Sequence, residues 1–130
     1  MPLDFRTEEE ITEDKYKASA TGSLRTNVGK IDPTHLAPDF IMEMAKVLSA
    51  NEHKYPKFNY AKGQEYSMTM ASLLRHSLNL LNGEDIDPTD GCHNAAKIAV
   101  NAMIVWCTYK YHIKNYPQLD DRFKKVLGVE

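Results

Sequence analysis

One stretch, residues 75–101, limits what this chain can become. It reads R-H-S-L-N-L-L-N-G-E-D-I-D-P-T-D-G-C-H-N-A-A-K-I-A-V-N, two apolar-periodic segments around an acidic turn. Each segment also carries a polar line. Ser72, Arg75, His76 and Asn79 stand three or four apart and share one helical face. His93, Lys97 and Asn101 repeat every four residues and share another. Two antiparallel helices across the turn can bring these lines together, with Glu84, Asp85, Asp87 and Asp90 at one end. Imidazoles, a guanidinium, an ammonium and carboxylates suit a phosphate, or a metal with a phosphate.

The rest of the chain supports an all-α reading, a small bundle of three main helices with loops and short terminal helices. Pro38 suits a helical first turn, and Ile41, Met44, Ala45 and Leu48 form a stripe, which predicts a helix over 38–51. A second helix is predicted over 64–82, with Met70, Leu73, Leu74, Leu78 and Leu81 as its core stripe and Gly83 ending it. A third is predicted over 90–115, with Asp90 as N-cap and Pro117 beyond its end. Residues 118–127 suit a last short helix. Residues 22–30 lack helical periodicity and read as an extended loop, where Arg25 and Lys30 can reach an anion.

Residues 1–21 are polar and acidic and read as a solvated tail, although Thr7 and Glu10 have capping-box spacing. Residues 22–130 are expected to form a single domain. The net charge of -2 does not recruit nucleic acid. No apolar run is long enough for a membrane span. Cys92 and Cys107 fall too far apart on one helix to bridge and read as free thiols of a reducing compartment. A small domain with an alanine-rich third helix is expected to complete its core as a homo-oligomer.

Residues 51–63, punctuated by Pro56 and Gly63, read as a loop that interleaves cations (His53, Lys54, Lys57, Lys62) with aromatics (Tyr55, Phe58, Tyr60). Lys54, Lys57 and Lys62 can hold phosphates, and Tyr55 and Tyr60 can stack on a base. The alternative is a loop pinned by its rings with its lysines in water. No Walker-type loop, H-E-x-x-H or Ser–His–Asp arrangement is present, so hydrolysis would need metal-assisted attack by water.

The order of motifs resembles a known family. R-x-N-x-G-K at 25–30, K-Y-x-x-x-N-aromatic-x-K-G at 54–63, R-H at 75–76 and G-E-D-I-D-P-x-x-G at 83–91 precede a His/Asn helix. This is similar to the N-terminal-type domain of phage dATP/dGTP diphosphohydrolases, over about residues 22–107. The resemblance implies a phage protein working in the cytoplasm of the infected host cell and binding a purine nucleotide. It adds Asn59 to the loop's binding residues. It also implies, for active members, release of pyrophosphate from dGTP or dATP. In that family the acidic turn leads into H-H-L-A-H. Here the segment is His93, Asn94, Ala95, Ala96, Lys97, so two of three imidazoles are replaced.

Two functional readings follow. In the first, the chain holds a phosphorylated purine nucleotide without turning it over, sequestering a signal such as a cyclic nucleotide or cyclic ADP-ribose. Arg25, Lys30, the 54–62 loop, Arg75, His76, Asn79, His93, Lys97 and Asn101 would bind it. In the second, Glu84, Asp87, Asp90 and His93 hold Mg²⁺ or Mn²⁺ and the chain is a nucleotide pyrophosphohydrolase. A third, structural reading makes the polar lines a buried network in a protein whose partner is another protein. Lys97 decides much of this, because a buried ammonium needs an anion, either Asp87 or Asp90 or a ligand phosphate.

Overall fold

The computed structural model describes residues 16–26 and 28–130. Thr7, Glu10 and Asn27 lie outside the described residues, as does most of the expected tail. There are two compact units, one ending at Ala37 and one spanning Pro38–Glu130.

In the first unit, β1 (Lys17–Ala18) pairs antiparallel with β2 (Leu24–Arg25), Lys17 opposite Arg25. Ser19 holds the turn between them: its hydroxyl accepts from the Ser23 amide at 3.1 Å. Arg25 and Lys30 are both exposed in this unit. A 3₁₀ turn at Pro33–His35 follows, capped by Asp32.

The second unit holds three long helices, α1 (Pro38–Ala50), α2 (Tyr66–Leu81) and α3 (Asn94–Tyr111), and a short α4 (Phe123–Leu127). The mostly helical fold expected from periodicity is the fold observed. Val47 of α1 packs with Cys92, Ala96 and Val100, backed by Met44, Leu48, Ala50 and Ile104. Ala96 is fully buried, as close approach of helices to α3 requires. Both cysteines are free and buried.

α2 and α3 run antiparallel. Near one end His76 meets Asn94, and at the other the Gln64 amide donates to the Thr108 hydroxyl at 3.2 Å. α2 lacks a side-chain cap of its own at Glu65. Asp121, from the far end of the chain, accepts from the Ser67 amide at 2.8 Å and from the Ser67 hydroxyl. The neighbouring Arg122 grips Asp120 with two N–H groups, at 2.8 and 3.0 Å, and lies over the Tyr66 ring.

Two expectations are corrected. α3 starts at Asn94, four residues later than predicted, because Asp90 is engaged elsewhere. Its carboxylate accepts from the Cys92 amide and from Lys97, and His93 caps instead, its Nδ1 accepting from the Ala95 amide at 3.0 Å. The predicted core stripe of α2 is also only half right. Leu74, Leu78 and Leu81 are 54%, 62% and 84% exposed. α3 packs on the opposite side of α2, against the side carrying Thr69 and His76, so these leucines face outward. Among the described residues, no helix is long and apolar enough to cross a membrane.

Candidate functional site

The acidic turn between α2 and α3 is closed by backbone bonds. The Asp87 amide donates to Cys92 O at 2.9 Å, the Gly91 amide to Asp87 O at 2.8 Å and the Asn94 amide to Asp85 O at 2.8 Å. This folding aims the carboxylates of Asp87 and Asp90 at one point, and Lys97, one turn into α3, puts its ammonium there. Nζ lies 2.6 Å from Asp87 and 2.5 Å from Asp90. All three side chains are largely buried, at 9%, 15% and 15% exposure. Hydrogen bonds from Lys97 and then Thr89 hold the Asp87 carboxyl well below the usual carboxylate range. Burial pushes Asp90 upward, but bonds from Lys97 and the Cys92 amide outweigh it, and its net shift is downward. For Lys97, burial works against the charge, and the two carboxylates outweigh it and raise its pKa.

A second network lies beside the first. Asn94, fully buried, donates to the Glu84 carbonyl at 2.9 Å and to the Glu84 carboxylate at 3.3 Å. Its oxygen is therefore the acceptor for His76, whose Nδ1–H donates at 3.1 Å. His93, with Nδ1 accepting, presents an Nε2–H donor. From α1, Glu43 accepts from the His93 amide at 3.3 Å, and Lys46 donates to Gly91 O at 3.0 Å. Arg75 and Asn79 are exposed on α2, and Asn79 borders an open hollow of about 410 Å³ with Leu78, Leu81 and Asn82. Asn101 donates to the Lys97 carbonyl at 2.8 Å.

The cation–aromatic loop sits elsewhere. It is pinned to the C-terminal end of α3, where His112 Nε2–H donates to Ala61 O at 2.6 Å. Gly63, at φ +92°, packs so closely on His112 that a Cβ would meet the ring at 3.0 Å. Lys54, Lys57 and Lys62 are exposed there, with Tyr55 and Phe58 exposed and Asn59 and Tyr60 half-buried. Phe58 holds φ 65°, a left-handed conformation rare for an aromatic residue, with Lys57 Nζ 5.2 Å from its ring centre. Along α3, Lys97 and Thr108 are about 16 Å apart at 1.5 Å per residue. One chain thus carries two polar clusters at opposite ends of α3, and does not merge them.

The carboxylates do not fit a divalent cation. Asp87 and Asp90 converge on an ammonium, and Glu84 accepts from Asn94. Among the described residues no buried side-chain polar atom lacks a hydrogen bond, and no three His, Cys, Asp or Glu side chains converge as metal ligands. Sequence reasoning overlooked Glu43 and Lys46, which reach the turn from α1. Asn94 was legible as the residue standing where the resembling family has an imidazole, and Phe58 as one ring of the cation–aromatic loop.

Comparison with known proteins agrees with the motif order. The family model described as dATP/dGTP diphosphohydrolase, N-terminal, matches residues 20–122. A dATP/dGTP diphosphohydrolase of Salmonella phage PMBT28 is 30% identical over 99 residues, covering 76% of this chain and 32% of the relative. The chain thus spans about a third of the length of that relative. No solved structure matches.

Proposed function

This chain belongs to the dATP/dGTP diphosphohydrolase N-terminal family, and from that membership we propose that it binds a phosphorylated purine nucleotide and holds it without hydrolysis. The observation that carries this reading is the Lys97 ammonium between Asp87 and Asp90. Two-carboxylate seats of this kind serve Mg²⁺ or Mn²⁺ in phosphoryl chemistry. Here a tethered cation fills the seat, which favours holding the nucleotide over metal-activated attack by water. Lys97 works as a counter-ion that fixes the turn, and His76 and His93, with Arg75 and Asn79 exposed on α2, supply polar and cationic contacts.

The cation–aromatic loop supports nucleotide binding in particular. Lysines neutralise phosphates, and exposed rings stack on a base at about 1–3 kcal/mol each. The biological use is sequestration, in the cytoplasm of an infected host, of a nucleotide signal such as a cyclic nucleotide or cyclic ADP-ribose. The test is incubation with a nucleotide panel and Mg²⁺ or Mn²⁺, heat release and mass analysis of the eluate. Intact ligand is the expected result. A nucleoside monophosphate and pyrophosphate would establish the pyrophosphohydrolase reading instead.

A further inference from the structure

The two clusters that suit a nucleotide lie at opposite ends of α2 and α3, and α2 carries an uncovered apolar seam between them. Ala71, Leu74, Leu78 and Leu81 are all exposed and follow a 3–4–3 spacing, the a/d pattern that seats one helix against another at a shallow angle. Met68, 65% exposed, extends the seam toward the loop end. We propose that a second copy of this chain packs on this face, α2 against α2 and antiparallel, and that each nucleotide site is composite, with the cation–aromatic loop of one copy facing the acidic-turn cluster of the other.

Charge selects the occupant and its direction. Lys54, Lys57 and Lys62 cluster beyond the N-terminal end of α2. Glu84 and Asp85 follow directly on its C-terminal end. A parallel pair would set lysines against lysines and acids against acids. An antiparallel pair sets the lysines of each copy against the acids of the other, twice, as two-fold symmetry requires. Pairing Leu74 with the partner's Leu78 places Ala71 opposite the partner's Leu81. It also carries the partner's Lys62 to the level of the acidic turn. The separation of about 16 Å along α3 within one chain is thereby bridged between chains. Arg75 comes near the two-fold axis, where two guanidinium groups repel unless an anion lies between them, so nucleotide should tighten the pair.

The composite site rests on the nucleotide-binding reading; the pairing does not, and the experiment separates them. Light scattering of the intact chain should give twice the 14.8 kDa chain mass, and Leu78→Glu should give a monomer that keeps its helical circular dichroism. Ala71→Cys mixed with Leu81→Cys should cross-link on oxidation, and Leu81→Cys alone should not. A wild-type monomer, a Leu78→Glu dimer or a cross-link in Leu81→Cys alone would overturn the pairing. Composite sites are read with dGTP as probe, using a loop variant (Lys57→Glu, Phe58→Ala) and a cluster variant (Arg75→Ala, Asn79→Ala). Each alone should lose binding at least tenfold. Mixed and re-equilibrated, they should recover about a quarter of a site per chain, because half the dimers are mixed and each has one intact site. A mixture that recovers nothing would overturn the shared site. A wild-type dimer that binds neither dGTP nor any of the nucleotide panel would refute the nucleotide reading and the composite site with it, leaving the pairing intact.

Discussion

His76 donates from Nδ1 to the side-chain oxygen of Asn94 at 3.1 Å, and Asn94 is fully buried between that ring and Glu84. One amide therefore satisfies an imidazole on α2 and a carboxylate in the turn. Asn94→Ala leaves both partners short of a hydrogen bond, at an expected cost of about 2 kcal/mol. A double-mutant cycle with His76→Ala should give a coupling of about 1 kcal/mol. Urea unfolding with an unchanged m-value checks both numbers, and a loss under about 0.5 kcal/mol would mean that Asn94 does not link the helices.

Removing the ammonium of the Lys97 triad should be costlier. Lys97→Met leaves two largely buried carboxylates facing each other and should destabilise the domain by about 3 kcal/mol. Adding Asp87→Asn and Asp90→Asn to the same chain should recover most of that loss, since neutral groups need no counter-ion. Melting temperatures of the single and triple variants give the answer. A triple variant no more stable than the single one would locate the cost in packing of the lysine stem.

The same triad fixes an acid profile. Asp87 and Asp90 are held below the ordinary carboxylate value in the fold. Their contribution is therefore fully present well above the unfolded carboxylate pKa of about 4 and is lost as pH falls through the depressed folded values. Lys97, held above its ordinary value, keeps its contribution below about pH 10 and loses it only as pH rises through the folded value. The melting temperature should be insensitive to these three groups between about pH 6 and 9 and fall steeply below about pH 4. The triple variant should show a shallower acid limb, and parallel curves would remove the triad from the acid transition.

Helices were readable from 3.6-residue periodicity with Pro38, Gly83 and Pro117 as punctuation, and most of the polar residues near the turn were readable from their spacing. The start of α3 was not, because Asp90 has capping chemistry and only the fold shows that Lys97 competes for it. Nor was the division into two clusters. Spacing assigns residues to a face of a helix, but it does not say which end of a neighbouring helix a loop is pinned to, and the His112–Ala61 bond decides that here. The exposure of Leu74, Leu78 and Leu81 escaped for a related reason: a stripe shows that a surface is apolar without showing what covers it.

Phe58 offers a separation of binding from stability. Its left-handed backbone is strained for any residue but glycine, at about 1 kcal/mol. Phe58→Gly should leave stability equal or up to about 1 kcal/mol higher while weakening nucleotide binding about tenfold, the equivalent of one lost stacking contact. Calorimetric binding and thermal melting of one variant supply both readings. Lower stability with unchanged affinity would make Phe58 a structural ring.

Gly63→Ala should do the reverse. The new methyl group would meet His112 at 3.0 Å and Leu119 at 3.3 Å, on a backbone with φ +92° that alanine rarely adopts. The expected loss is about 2 kcal/mol, from strain and overpacking together. His112→Ala in the same chain should relieve only the steric part. A Gly63→Ala variant that melts like the wild type would show that the loop is not pinned where His112 holds it.

The Asp121–Ser67 contact has a consequence for order in time. The first turn of α2 gets its cap from a residue 54 positions later in the chain. During vectorial synthesis that turn emerges with its amide uncapped and stays so until the segment around Asp121 has followed. α2 and α3 can pair before then through their local turn, but the end bearing the cation–aromatic loop is stapled last.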